Sequence, residues 1–281
     1  MISRRLFGSG VGAITFALAA GPAMASSRFA WPDGREAAVS LTYDDGLNGQ
    51  LDIAARQLQA FGFKATFFLT QQNMQARLAD WQALARQGHE IADHTVSHPC
   101  ELRPFTAASF RRKELKPMEA FLDANFGSAH RKLYAYPCGA TELGRRGSLN
   151  TRQSRYVRLL RHEFEAARIV DGGPNDPWLA LRFRYLLQAN APTYDTDDPK
   201  PALDYVASAV AKGYWAILIF HDIVEQRRES GETSRATHQA VLDGIARQPV
   251  WCAPMGEVFD YVEARTGHGR GRSHRSVVST T

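Results

Sequence analysis

The strongest constraint on the fold of this 281-residue chain is the alternation, after Trp31, of short apolar runs with longer amphipathic ones. The short runs are rich in β-branched and aromatic residues, which favours strands, and the longer ones have helical periodicity. Parallel strands need a crossover connection, so this alternation indicates a parallel α/β sheet. We expect an irregular (β/α) barrel of about seven parallel strands, related to the eight-stranded barrel but shorter.

The pattern predicts the boundaries of most elements. Strands are expected at 37–43, 64–69, 89–93, 132–136, 166–170, 183–188 and 215–220. The clearest helices are predicted at 50–61, 75–87, 106–124, 201–212 and 235–247. Gly62, Gly88 and Gly213 follow three of these helices, at the position where glycine commonly ends a helix. No repeat or linker interrupts the pattern, so we expect one domain over residues 26–264.

Residues 1–25 have the features of an export signal. Arg4 and Arg5 precede a modestly apolar stretch, and Ala23-Met24-Ala25 offers a small-residue cleavage site. The arginine pair resembles the twin-arginine type of signal. The apolar stretch is short and interrupted by glycines, which argues against a membrane span. We expect cleavage before Ser26, a periplasmic or secreted mature protein, and no stable membrane span after signal removal.

The formal net charge of +5 lies at the ends of the chain. The signal holds two arginines and residues 265–281 hold four with no acidic residue, which leaves residues 26–264 with a charge of −1. A nearly neutral domain argues against a nucleic-acid-binding face, which needs clustered basic residues. The Gly-, Arg- and Ser-rich segment 265–281 is expected to be a basic disordered tail. Three cysteines are too few for a disulfide framework, and the odd number leaves at least one of them unpaired within the chain.

Polar side chains stand directly after two predicted strands. In "LTYDDG" Asp44 and Asp45 follow the first strand, and in "HEIADHTVSHP" His94 and His98 follow the third. The carboxyl ends of parallel strands share one edge of a sheet, where ligands bind. Two histidines and a carboxylate with an open position are a common catalytic metal set. Taken singly, each motif has a structural alternative: an Asp-Asp-Gly turn, or histidines at a helix start.

Two further motifs end strands in the same way. In "LYAYPCGAT" Pro137 and Gly139 force a sharp turn, which can expose backbone N–H groups to an oxyanion. The most apolar run of the mature chain, "WAILIFHDI", stops at His221. A structural histidine is the alternative there. Four strand ends therefore point to one candidate site.

These motifs, in this order, resemble those of the polysaccharide deacetylases, the NodB homology domain of carbohydrate esterase family 4. "TYDDG" is similar to the first motif of that family, "HTVSHP" to the second, "YPCG" to the third and "LIFH" to the last. The resemblance implies a NodB-like deacetylase barrel. It also implies a metal-dependent hydrolase that removes N-acetyl or O-acetyl groups from a polysaccharide or oligosaccharide, such as chitooligosaccharide or peptidoglycan glycan.

The resemblance assigns a role to each matching residue. Asp44 would be the general base and His221 the general acid. Asp45, His94 and His98 would hold one divalent ion, zinc in most members and cobalt or another ion in some. The backbone N–H of Cys138 would donate to the oxyanion, and Pro137 and Ile219 would line the substrate pocket.

The chain departs from the family pattern at three places. Ala135 stands where the third motif often has an arginine that orients the catalytic aspartate. Arg168 on the next strand is a candidate replacement, although the usual exposure of arginine favours a surface or structural role. Cys138 occupies an aromatic position, and "DGGPNDPW" offers no secure match to the fourth motif.

Two other function classes remain open. One is a C–N hydrolase of the same fold that acts on a small non-sugar amide. The other is a non-catalytic glycan-binding protein, but binding alone does not need both Asp44 and His221 beside a metal. Trp31, Trp178, Trp215 and Trp251 could stack on sugars, although buried tryptophan is the more common case.

Overall fold

The computed structural model describes residues 28–144 and 151–267. The strands are β1 Ala37–Asp45, β2 Thr66–Leu69, β3 Glu90–Asp93, β4 His130–Ala135, β5 Ala166–Arg168, β6 Trp215–Phe220, β7 Asp222–Val224, β8 Glu232–Ser234 and β9 Val250–Cys252. The predicted export signal lies outside the described residues, as does most of the predicted tail. The last helix continues through Thr266, two residues beyond the predicted domain boundary.

The helices follow the predicted pattern closely. They are α1 Ala55–Phe61, α2 Gln71–Met74, α3 Leu78–Arg86, α4 Ala107–Phe110, α5 Lys116–Phe126, α6 Arg155–Leu160, α7 Pro177–Ala180, α8 Lys200–Lys212, α9 Arg235–Ala246 and α10 Met255–Thr266. Wider π-helical turns at Gln50–Ala54 and Arg111–Leu115 lead into α1 and α5. Within the described ranges, no helix is long and apolar enough to cross a bilayer.

The main sheet has seven strands, all paired in parallel. Its order is β5-β4-β3-β2-β1-β6, and β9 pairs with the first half of β1. One edge of β1 therefore pairs with β9 at Ala37–Val39 and with β2 at Thr42–Asp45, while β6 lies on the other edge. The sheet curls into a half-barrel with its helices outside, which confirms the predicted NodB-like (β/α) barrel.

An irregular segment spans the gap between the edge strands β5 and β6. Leu187 bridges to Arg168 of β5, and Asn190 bridges to Leu218 of β6. The predicted strand at 183–188 is wrong, because residues 181–183 form a 3-10 turn and only Leu187 pairs with the sheet. The seventh strand of the sheet is instead the short strand β9, which pairs with β1. Three residues before a proline are too few to show a strand pattern in the sequence.

Side chains along β1 alternate between the side of the sheet that packs against the helices and the side that faces the inside of the half-barrel. Leu41 and Tyr43 pack in the outer core between the sheet and its helices, where Tyr43 stacks on Phe67. Successive side chains of a strand point to opposite faces, so Asp44 faces the inside of the half-barrel. Its neighbours there include Phe68 and Arg168, which lie 4.6 Å apart from ring centroid to guanidinium carbon. The apolar strand β1 thus places the buried carboxylate of Asp44 inside the half-barrel.

Candidate active site

A buried ion pair holds Asp44. The Arg168 guanidinium donates through Nη2 to Oδ1 of Asp44, and both side chains are almost completely buried. Arg168 reaches Asp44 from the far edge of the sheet, across β4, β3 and β2. The alternative that Arg168 lies on the surface is therefore wrong. The pair supplies the cation that Ala135 cannot supply.

Asp45, His94 and His98 converge next to this pair. Oδ1 of Asp45 lies 3.5 Å from Nε2 of His94 and 3.5 Å from Nε2 of His98, and the imidazole centroids are 4.6 Å apart. One donor atom from each residue lies within 4.8 Å of the other two. Two imidazoles and one carboxylate at this spacing fit a divalent ion such as zinc, with room for further ligands.

Hydrogen bonds orient His94 for this role. Its Nδ1 lies 2.9 Å from the carbonyl oxygen of Ala135, which can only accept, so Nδ1 carries the proton and Nε2 faces Asp45. In the loop that follows, the Thr95 N–H donates to Oδ1 of Asp93, and the His98 N–H donates to Oγ1 of Thr95. The two histidines are thus held by the backbone of their own loop and by β4.

The electrostatics of the cluster favour a cation. Burial opposes the ionisation of Asp45, but its hydrogen bond to His94 and the nearby histidines lower its pKa to about 2. Burial disfavours the charged form of His94, but the carboxylates of Asp44 and Asp45 outweigh it and raise the pKa of His94. The negative charge of two adjacent carboxylates therefore attracts positive charge to the Nε2 atoms.

The cluster lies in a cavity of about 470 Å³ at the carboxyl ends of the strands. The predicted site residues that line it are Asp44, Asp45, His94, His98, Cys138 and His221. Tyr136, Val170, Ala191 and Tyr194 complete the wall. Pro137 and Ile219, which the resemblance places in the substrate pocket, are buried and are not among the lining residues.

His221 faces the same cavity from the end of β6. Its ring contacts Tyr194 edge to face, with centroids 5.1 Å apart. Burial lowers the pKa of His221 below its ordinary value, although Asp44 and Asp45 oppose this shift. An imidazole in this place can exchange a proton with a group bound in the cavity.

Cys138 joins a second loop to the site. It forms a disulfide with Cys100, which leaves Cys252 as the unpaired thiol that the odd number of cysteines requires. In the turn of Cys138, the N–H groups of Gly139 and Ala140 donate to the carbonyls of Tyr136 and Pro137. The cysteine count did not predict this bridge, since spacing cannot show that the loops after β3 and β4 meet.

Backbone strain is concentrated around the cavity. Among the described residues, five non-glycine residues have a positive φ, and four of them belong to the site: Asp45, Thr95, His98 and Cys138. A left-handed conformation costs an L-residue about 1–2 kcal/mol, so it persists only where surrounding contacts enforce it. Such clustering is typical of functional sites.

Gln50 is a site residue that the sequence analysis missed. Its Nε2 atom donates to the carbonyl oxygen of Asp44 at 2.5 Å and to that of His221 at 3.0 Å. It therefore ties the ends of β1 and β6 together beneath the cavity. Gln50 opens the first predicted helix, where a glutamine carries no signal for such a contact.

The tryptophans contribute little to the cavity. Trp31 and Trp215 are buried, as the more common case predicts, and Trp251 packs against the interior core. Trp178 is 53% exposed but does not line the cavity. Tyr194, which is 42% exposed, and the buried Tyr136 are the tyrosines that line the cavity.

The fold and the site thus define a NodB-like (β/α) barrel in which Asp44 and His221 line one cavity with a candidate metal centre. Residues 32–153 match the family described as polysaccharide deacetylase, which confirms the resemblance found in the sequence. A gellan lyase from a Bacillus species is 37% identical over 71 residues. That match spans 24% of this chain and only 3% of the length of the lyase.

Solved structures share the fold at low sequence identity. A protein from Mycobacterium smegmatis assigned to the polysaccharide deacetylases has a TM-score of 0.62 at 18% identity, over 85% of this chain and 94% of its own. A mutant of a Bacillus anthracis CE4 family pseudoenzyme, with restored enzymatic activity, has a TM-score of 0.50 at 19% identity. The match covers 79% of this chain and 67% of the pseudoenzyme. At 18% and 19% sequence identity, these similarities show a shared fold.

Proposed function

We propose that this protein is a metal-dependent hydrolase that removes acetyl groups from a polysaccharide or oligosaccharide. The observation that carries the proposal is that Asp44 and His221 line one cavity with Asp45, His94 and His98. A proton acceptor, a proton donor and a divalent metal site in one cavity form the set that hydrolysis of an acetamide or acetate ester needs.

Each residue has a defined task in this proposal. Asp45, His94 and His98 hold the ion, which we expect to be zinc, with cobalt or another divalent ion possible. When bound, the ion supplies a Lewis acid beside the acyl carbon. Asp44, oriented by Arg168, takes a proton from the attacking water. The Cys138 N–H donates to the oxyanion, and His221 protonates the leaving group, so that free amine or hydroxyl and acetate are released.

The family match supports the proposed substrate class, and acetate release tests it. We expect purified protein to release acetate from an N-acetylated chitooligosaccharide, from peptidoglycan or from acetylated xylan. The Asp44→Asn variant, which keeps the shape of the side chain, is the matched control and should release almost none. Release from small non-sugar amides alone would favour the amide hydrolase instead.

A non-catalytic glycan-binding protein is the other candidate, because the fold also occurs in a pseudoenzyme. Measurable glycan binding by calorimetry without acetate release from any substrate would favour that role. The acid–base pair and its buried arginine argue against it, because a buried ion pair is costly to maintain and binding alone does not need one.

We also propose export to the periplasm or the medium. Arg4, Arg5 and the Ala23-Met24-Ala25 site support this proposal. The N-terminal sequence of protein recovered outside the cytoplasm should begin at or near Ser26. An intact Met1 on that protein would contradict the cleavage site. Replacing Arg4 and Arg5 with lysine should impair export if the route is the twin-arginine one.

A further inference from the structure

The Cys100–Cys138 disulfide joins the two loops that carry separate parts of the site. Cys100 follows the metal-ligand residue His98 by two positions, and the backbone of Cys138 carries the proposed oxyanion donor. The Cα atoms of the two cysteines are 5.6 Å apart, and 38 residues separate them in sequence. Both cysteines are exposed, so solvent and reductants reach the bond.

His98 is the less firmly held of the two histidines. The side chain of His94 is 2% exposed and that of His98 is 29% exposed. Nδ1 of His94 has a carbonyl partner on β4, whereas Nδ1 of His98 has the sulfur of Cys100 at 3.8 Å. A disulfide sulfur carries no proton and can only accept. It therefore favours the tautomer in which Nδ1 is protonated and Nε2 faces Asp45.

Cys138 depends on the same bond. Its φ of 53° is a left-handed conformation, which a residue with a Cβ keeps only under constraint. The loop of His98 is constrained by hydrogen bonds within itself, but the structure ties it to the loop of Cys138 through the disulfide. Farther from the site the Gly144 N–H also donates to the carbonyl of Leu102 at 3.1 Å, so loss of the disulfide frees the segments next to His98 and Cys138 to move relative to each other.

We propose that the Cys100–Cys138 disulfide is a positioning cross-link that sets His98 and the Cys138 N–H relative to each other. The proposal rests on the function proposed above. The reduced form differs in a second way, because it offers two thiols in place of the disulfide sulfurs, which lie within 4.8 Å of a His98 nitrogen. These thiols can draw the imidazole out of the ligand set. The disulfide thus keeps the His98 imidazole available to bind the ion together with Asp45 and His94.

The central test compares wild-type protein with a variant in which Cys100→Ser and Cys138→Ser are combined. The variant keeps the backbone N–H at position 138 and loses only the bond. Binding of Co²⁺, followed by its visible absorption, should be at least about 10-fold weaker, because lost orientation of a ligand typically costs 10- to 100-fold in affinity. The kcat for acetate release should fall by a similar factor, and KM should change little.

The kcat values of the single and double variants show whether loss of the disulfide causes the effect, because their effects are then not additive. Each single variant should lower kcat as much as the double variant does, since each removes the same bond. Reduction of folded wild-type protein with a phosphine should lower kcat at least to this level, because the freed thiols also compete for His98, and should not change the double variant. Cys252→Ser, which affects only the unpaired thiol, is the matched control and should behave as wild type.

Two outcomes would overturn the proposal. One is a folded double variant with wild-type Co²⁺ affinity and wild-type kcat. The other is a set of single-variant effects that add in the double variant. If the double variant does not fold, the phosphine-treated wild-type protein decides by the same two measurements. If no substrate is deacetylated, the proposed function fails, while Co²⁺ affinity still tests the cross-link.

Discussion

Arg168, the last residue of β5, donates to the carboxylate of Asp44 near the end of β1, 124 residues earlier in the chain. Both side chains are buried, and the guanidinium packs over the ring of Phe68. Arg168 pairs in register with Ala135 across β4 and β5. The family often has an arginine at the position of Ala135 on β4. Here Arg168 on the adjacent strand β5 supplies that positive charge instead.

Arg168→Met should lower kcat for acetate release roughly 100-fold, because Asp44 loses the group that orients it. The matched control is Arg184→Met, which removes an ion pair with Glu263 at a distance from the cavity. Adding Ala135→Arg to Arg168→Ala should restore part of the activity. Unchanged kcat in Arg168→Met would contradict the positioning role.

Loss of a metal ligand should abolish metal binding. We expect about one divalent ion per chain in purified protein, and loss of that ion in His94→Ala and in His98→Ala, since two ligands are too few to retain it. Elemental analysis of dialysed protein measures this directly. His162→Ala, a change at an exposed histidine outside the site, should keep the ion. Full retention in both ligand variants would refute the assignment.

The acid and the base should separate in the pH profile. Asp44→Ala and His221→Ala should each reduce turnover by about two to four orders of magnitude and leave metal content nearly normal. A base must be deprotonated, so loss of Asp44 should remove the limb where activity falls with decreasing pH. An acid must be protonated, so loss of His221 should remove the alkaline limb. A normal alkaline limb in His221→Ala would mean that another group protonates the leaving atom.

A buried histidine beneath the site should make stability depend on pH. Nδ1 of His238 donates to Oε1 of Gln57 at 2.7 Å, and Nε2 accepts from the Tyr43 hydroxyl at 2.7 Å. Burial lowers the pKa of His238 from 6.5 to about 3. As the pH falls, His238 therefore takes up a proton at a higher pH in the unfolded chain than in the folded chain. The stabilising contribution is complete above pH 6.5 and is lost as pH falls toward 3, by on the order of 5 kcal/mol.

The measurement is urea unfolding between pH 4 and pH 8. Because a glutamine does not titrate in this range, His238→Gln should be less stable than wild type at pH 8 but should lose less stability toward pH 4. His162→Gln, at an exposed position, should follow the wild-type curve. Parallel curves for His238→Gln and wild type would show that another group causes the acid loss.

Local sequence patterns were sufficient for most of the fold and for the center of the site. An apolar run that ends in Asp44 and Asp45, and another that ends before His94, place polar groups at strand ends whatever the distant contacts are. In a parallel sheet these ends share one edge, so the parallel pairing of the strands was enough to predict that Asp45, His94 and His98 converge. The resemblance in four ordered motifs added the roles of Asp44 and His221.

Tertiary structure decided the features that depend on which distant segments meet. The pattern at 183–188 favoured a strand, but a 3-10 turn and one bridge at Leu187 form there instead. No local signal shows the bond between Cys100 and Cys138, the contact of Gln50 with two strand ends, or the absence of Ile219 from the cavity lining. Periodicity reports which face of an element is buried, and only the packing of the whole chain determines the partner that covers that face.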